Sequence, residues 1–128
     1  MMFEAQTEWI APDNFPNLSG YKFISIDLET RDPDLKSKGS GSVIGNGEII
    51  GVAVAVDGWC KYYPFGHEGG GNLDKKKILS WLKDICATDS TKIFHNAMYD
   101  VCWLRSYGIK VNGHIMDTMV MASLVDEN

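Results

Sequence analysis

The stretch YKFISIDLET, residues 21–30, decides how this chain is read. Phe23, Ser25 and Asp27 fall on one side of it, and Ile24, Ile26 and Leu28 on the other. Side chains along a strand alternate with period two, so the stretch predicts a half-buried strand. The same period sends the carboxylates of Asp27 and Glu29 to one face at the strand's end. Strand ends are where α/β sheets place their sites. Two acids held side by side repel, and the pairing is tolerated chiefly where a cation offsets it. Hard oxygen ligands point to Mg²⁺ or Mn²⁺ rather than zinc. An Asp-x-Glu by itself is a weak signal, because ordinary surface strands carry it too.

Downstream of this strand, RDPDLKSKGSGSVIGNG, residues 31–47, is polar and rich in glycine and predicts a long mobile loop. EIIGVAVAV, residues 48–56, is nearly all apolar and β-branched, which suits a central strand. The Asp57-Gly58 turn leads into WCKYYPF, so residues 48–65 read as a hairpin. GHEGGGN, residues 66–72, is a glycine loop without the GK[ST] ending of a phosphate-binding loop; it reads as a connection, with His67 solvated.

Next, Ile78, Leu79, Leu82, Ile85 and Cys86 recur at helical spacing, with Lys75, Lys76, Lys77, Lys83 and Asp84 outside. KIFH, residues 92–95, is a short strand, and AMYDVCWLRSY a helix stopped by Gly108. An extended piece from Val111 to Ile115 precedes the helical pattern DTMVMASLV, with Asp117 as its N-cap. Residues 1–20, interrupted by Pro12, Pro16 and Gly20, form an irregular lead-in that Trp9, Ile10 and Phe15 would staple to the body. The order β, hairpin, α, β, α, β, α predicts an α/β sheet flanked by helices, built from residues 21–128.

Composition narrows the class. The 128 residues suit one domain, and 45% hydrophobic with 23% charged residues exclude disorder and fibrous structure. No apolar run reaches the length of a membrane-spanning helix, and the opening MMFEAQTEWI lacks the basic cluster of a secretory signal. Cys60, Cys86 and Cys102 are odd in number and form no CxxC, which fits core thiols in a reducing cytoplasm. The net charge of −5 by itself argues against a nucleic-acid partner, since phosphate binding usually leaves a basic footprint.

HNAMYD, residues 95–100, reopens that question. If a helix starts near Asn96, the i,i+4 spacing stacks Asn96 and Asp100 on one face. The alternative is that Asn96 is only an N-cap and Asp100 only favours the helix dipole. Taken together, DLET followed about seventy residues later by FHNAMYD resembles the 3′→5′ proofreading exonuclease domain of family A DNA polymerases, within the DnaQ-like (DEDD) superfamily. Thr30 after the Asp-x-Glu, Tyr99 before the second Asp, and Asp117-Thr118 opening a later helix agree with the pattern. PDLKSKGSGSVIGNGEIIGVAVAVDG followed by YYPFGHEGGGNLD looks particularly like bacteriophage polymerases, and the resemblance runs from about Trp9 to the end.

The resemblance implies a ribonuclease H-like mixed sheet and a two-metal hydrolysis. Asp27 would bridge two Mg²⁺ or Mn²⁺ ions, Glu29 would bind the first, and Asp100 would hold the second directly or through its outer shell. Thr30, Asn96 and Tyr99 match positions that line the terminal nucleotide. The substrate implied is the 3′ end of single-stranded DNA, with nucleoside monophosphates released in the cytoplasm, the host's if the source is viral. No membrane partner is implied.

One part of the pattern is missing. The family's fourth carboxylate comes from a later Tyr-x-x-x-Asp or His-x-x-x-Asp, and no Tyr or His here has Asp four residues on. Asp117 and Asp126 come too early. The expectation is an incomplete domain, truncated at its C-terminus, whose partner is a downstream polymerase domain or the missing part. Weak Mn²⁺ binding and little turnover would follow. The competing readings are a non-catalytic module that keeps the fold and binds single-stranded DNA or a polymerase body, and an RNA-trimming relative of the superfamily.

Overall fold

In the computed structural model residues 10–121 are described. They form one five-stranded mixed sheet with helices packed on it. The strands are β1 (Phe23–Arg31), β2 (Glu48–Val56), β3 (Trp59–Pro64), β4 (Thr91–Phe94) and β5 (Ile115–Asp117). The helices are the single turns α1 (Leu35–Lys38) and α2 (Gly41–Ile44), then α3 (Lys75–Ala87) and α4 (Ala97–Ser106). The spatial order is β3-β2-β1-β4-β5, antiparallel between β1, β2 and β3 and parallel from β1 through β4 to β5. That arrangement is compatible with a ribonuclease H-like fold.

The alternation in YKFISIDLET is realised as expected. Ile24, Ile26 and Leu28 are buried in the core, and Asp27 and Glu29 are exposed on the opposite face. Register carries the core face across the sheet to Val52, Val54 and Tyr63. Against it α3 lays Ile78, Trp81, Leu82, Ile85 and Cys86. The Asp74 carboxylate caps α3 by accepting from the N–H groups of Lys76 and Lys77. In α4, Trp103 and Leu104 complete the core. The three tryptophans among the described residues therefore pack rather than present stacking faces: Trp81 and Trp103 are buried, and Trp59 sits edge-on to Trp81 with ring centroids 6.4 Å apart.

Only part of the lead-in is stapled as expected. Phe15 stacks on Tyr63 at 5.4 Å, Tyr63 Oη donates to the Asn14 carbonyl, and Trp81 Nε1 donates to that of Pro16. Ile10 is instead 84% exposed. Trp9 lies outside the described residues, as do Asp126 and the end of the DTMVMASLV pattern.

Residues 31–47 are not a structureless loop. Asp32 accepts from the Gly41 N–H through both carboxylate oxygens, at 3.0 and 3.1 Å, which fixes the start of α2. Asn46 Nδ2 donates to Asp34 at 2.7 Å. A Cβ on Gly41 would fall 1.7 Å from the Asn46 carbonyl oxygen, so this close turn requires glycine. No helix among the described residues is long and apolar enough to cross a membrane.

Candidate functional site

The site grows from a mismatch in strand length. β1 pairs with β4 only from Phe23 to Ser25, and β4 ends at Phe94, where the chain turns through His95 and Asn96 into α4. The far half of β1 is left without a β4 partner, and its backbone donors need acceptors. Asp100, in the first turn of α4, supplies one: its Oδ2 accepts from the Leu28 N–H at 3.3 Å. That hydrogen bond ties α4 to the strand between the two acids of DLET.

Asp100 is only 4% exposed. Burial pushes its carboxyl up to about 7; the Leu28 N–H opposes this, and the charge of Asp27 adds to it. The carboxylates of Asp27 and Glu29 have neither a hydrogen-bond donor nor an ion-pair partner among the described residues. Among the described residues no three His, Cys, Asp or Glu side chains are gathered closely enough to hold a metal ion. β1 runs on to Arg31, so Asp27 stands mid-strand and not at its end as expected; the acids lie along the half of β1 that β4 leaves unpaired, without forming a closed cage. Such an open donor set still suits Mg²⁺, which commonly takes one or two carboxylates and completes its shell with water and substrate phosphate.

A β-bulge follows the acids. Glu29 pairs with Gly51 and Thr30 with Ile49, so Ile50 is the extra residue on β2. Bulges recur beside active sites because they re-aim neighbouring side chains. The Ile50 carbonyl accepts from both Phe65 and Gly66, which anchors the glycine loop next to the strand end.

Thr30 and Tyr99, expected at the substrate, do come together, but their hydroxyls are committed. Tyr99 Oη donates to Asp32 Oδ2 at 2.8 Å. Its single proton thus spent, it accepts from Thr30 Oγ1 at 2.9 Å. Asp32 gathers Tyr99 and Gly41, a role that sequence reading missed because it depends on α2 meeting α4. Burial raises the Tyr99 phenol pKa, and the Asp32 carboxylate adds to the rise against the Thr30 hydrogen bond.

Asn96 lies outside α4, so the helical i,i+4 spacing to Asp100 does not apply to it. It sits before the helix at φ 64°, the one non-glycine residue with positive φ among those described, and its side chain caps nothing. Asparagine tolerates this left-handed conformation, and backbone strain of this kind clusters at functional sites. Asp117 does the capping instead. Its carboxylate accepts from Asn96 at 3.0 Å and Ala97 at 2.9 Å, and from Met119 at 3.0 Å in the helical turn at residues 118–121. The Ala97 N–H leads the set of backbone donors that hold its pKa below the usual range.

Two further residues were not anticipated. His67 is half-buried rather than solvated, and its Nε2 is hydrogen-bonded to Tyr62 Oη. Arg31 pairs with Glu48 and donates to the Gly66 carbonyl at 2.9 Å, clamping the same loop. β4 stops one residue short of the expected KIFH, and His95 just beyond it is hydrogen-bonded through Nδ1 to Thr118 Oγ1 at 2.9 Å.

Fold and site together define a mixed α/β domain with Asp27 and Glu29 on one exposed face of its central strand and Asp100 buried against that strand. Comparison with known proteins adds its relatives. The chain is 38% identical over 114 residues to a "DNA-directed DNA polymerase" of Pseudomonas phage M6, covering 81% of this chain and 16% of that protein. It is 34% identical over 77 residues to a "DNA polymerase I" of Chloroflexus aurantiacus, covering 59% of this chain and 8% of that protein. The chain therefore spans about a sixth of the first relative's length and less of the second's. No protein-family model matches it.

Proposed function

We propose that this chain is a 3′→5′ proofreading exonuclease domain of a DNA polymerase, acting on single-stranded DNA 3′ ends. One observation carries the reading: a buried carboxylate, Asp100, is drawn from α4 onto the backbone of β1 beside Asp27 and Glu29, and no cationic side chain among the described residues pairs with any of the three. The similarity to DNA polymerases of a phage and a bacterium supports the substrate class.

Asp27 would contact two divalent ions, Mg²⁺ or Mn²⁺, with Glu29 on the first and Asp100 on the second. When bound, the ions would supply Lewis-acid charge at the phosphate and make water a stronger nucleophile. The chain's own residues orient the substrate. Asn96, exposed just before α4, would face the terminal nucleotide, and the Thr30–Tyr99–Asp32 chain would fix the wall between β1 and α4. Water adds to the last phosphodiester phosphorus and the bond to the 3′ oxygen breaks. The products are a nucleoside 5′-monophosphate and a strand one nucleotide shorter with a free 3′ hydroxyl.

The open spacing of the acids favours a second reading, in which the same face binds single-stranded DNA without cutting it. Digestion of 3′-labelled single-stranded DNA in Mg²⁺ or Mn²⁺ separates the two. Slow release of mononucleotides that Asp27→Ala abolishes supports the exonuclease. Equal trimming by Asp27→Ala sinks it, and binding of the DNA with no release leaves the binding module.

A further inference from the structure

A cavity of about 440 Å³ lies beside the acids, lined by Tyr62, Pro64, His67, Gly69, Gly70 and Gly71. Register places it on their face: Asp27 pairs with Ala53 and Ala53 with Tyr62, so the side chains of Asp27 and Tyr62 point from the same side of the sheet. They stand two strand spacings apart, about 10 Å.

The cavity wall is built rather than incidental. Tyr62 Oη reaches back over Gly51, where a Cβ would fall 2.0 Å from it. From there it bonds His67 Nε2. The backbone of His67 is gripped at both ends by one side chain: its N–H donates to Asn72 Oδ1 at 2.8 Å, and its carbonyl accepts from Asn72 Nδ2 at 2.7 Å. Gly66 is pressed on Ile50 of the bulge and held by Arg31. Every handle on the histidine is fixed, while its Nδ1 has no partner among the described residues. The opposite wall, Gly69 to Gly71, has no side chains, and Gly70 and Gly71 adopt φ of 87° and 73°, which favour glycine.

We propose that this cavity is a nucleotide subsite: it takes an upstream nucleotide of the single strand whose 3′ end lies at Asp27 and Glu29. The proposal rests on the exonuclease reading and extends it. A base would stack on the His67 ring, against which Tyr62 stands edge-on with ring centroids 5.8 Å apart, and the bare glycine strip would let the sugar-phosphate backbone approach its amides. The volume falls in the ordinary range for ligand sites, about 300–1,000 Å³. At the roughly 3.4 Å rise of a duplex-like stacked strand, the 10 Å to the acids is about three nucleotides, and fewer if the single strand is extended.

The test is amide NMR of the ¹⁵N-labelled chain titrated in Mg²⁺ with the oligonucleotide (dT)6, its 3′-terminal linkage a phosphorothioate that resists cleavage, repeated with Gly69→Glu and His67→Ala. Gly69 has no positive φ and nothing within 4 Å of its Cβ position, so the substitution adds bulk and negative charge without straining the fold. In the unmodified chain, signals of His67 and Gly69–Gly71 shift together with those around Asp27 and Glu29. Either variant weakens (dT)6 binding about tenfold, the worth of one stacked base. Shifts at the acids alone, with unchanged affinity in both variants, overturn the subsite and leave the exonuclease reading standing. No shift at either place overturns both.

Discussion

Two kinds of carboxylate surround the end of β1, and their hydrogen bonds tell them apart. Asp32 receives the Gly41 N–H on both oxygens and the Tyr99 hydroxyl; Asp117 receives three backbone N–H groups. Asp100 receives one long hydrogen bond, and the Asp27 and Glu29 carboxylates receive none among the described residues. A carboxylate saturated with donors is pinned and neutralised where it stands, and it serves the scaffold. One starved of donors costs stability unless something else supplies positive charge. Under the proposed function, the contrast separates acids that hold the fold from acids that would take a cation, though Glu29 and Asp32 lie only three residues apart.

The largest effect that sharpens this comparison concerns Asp100. Its folded-state pKa of about 7 lies above the 3.8 of an ordinary aspartate, so between those values the folded chain holds a proton that the unfolded chain has lost. In metal-free buffer stability therefore falls as pH rises from about 4 to 7 and levels off above. Asp100→Asn removes that decline and stabilises the chain at pH 8 by about 2–4 kcal/mol, measured by urea unfolding in EDTA. A variant less stable than the parent at pH 8 would break the comparison.

Asp32→Ala should act in the opposite direction. It strands the Gly41 N–H and the Tyr99 hydroxyl, and costs about 2 kcal/mol at neutral pH in the same assay. Tyr99→Phe removes one link of that chain and costs about 1 kcal/mol. If Tyr99→Phe instead leaves stability unchanged and slows only trimming, the hydroxyl belongs to the substrate and the division drawn here is misplaced.

Asp117→Asn is the smallest and has its own pH signature. The depressed pKa of Asp117 means that its contribution is present above the ordinary aspartate pKa and is lost as pH falls through the lower, folded value. The variant should lower the melting temperature at pH 7 and match the parent in strong acid. An equal loss at every pH contradicts the capping role.

Much of the sheet was legible because its signals are local. The alternation from Phe23 to Leu28, the Asp57-Gly58 turn and the spacing from Ile78 to Cys86 each specify an element without reference to any other. What escaped depends on elements meeting. Glycine and serine composition alone gave residues 31–47 the look of a loop, while the carboxylate that orders α2 lies nine residues before Gly41. His67 reads as solvated until β3 places Tyr62 beneath it. The acids themselves were visible in DLET and HNAMYD. Their difference in burial was not, because it follows from β4 stopping short of β1 and leaving Leu28 for Asp100.

If the starved acids form a divalent-cation site, as proposed, Mn²⁺ binding followed by electron paramagnetic resonance will register it. Free Mn²⁺ signal should fall on adding the unmodified chain, and fall far less with Asp27→Asn or Asp100→Asn, while Asp117→Asn binds as the parent does. Equal Mn²⁺ binding by all four proteins, or none by the unmodified chain, would contradict the account.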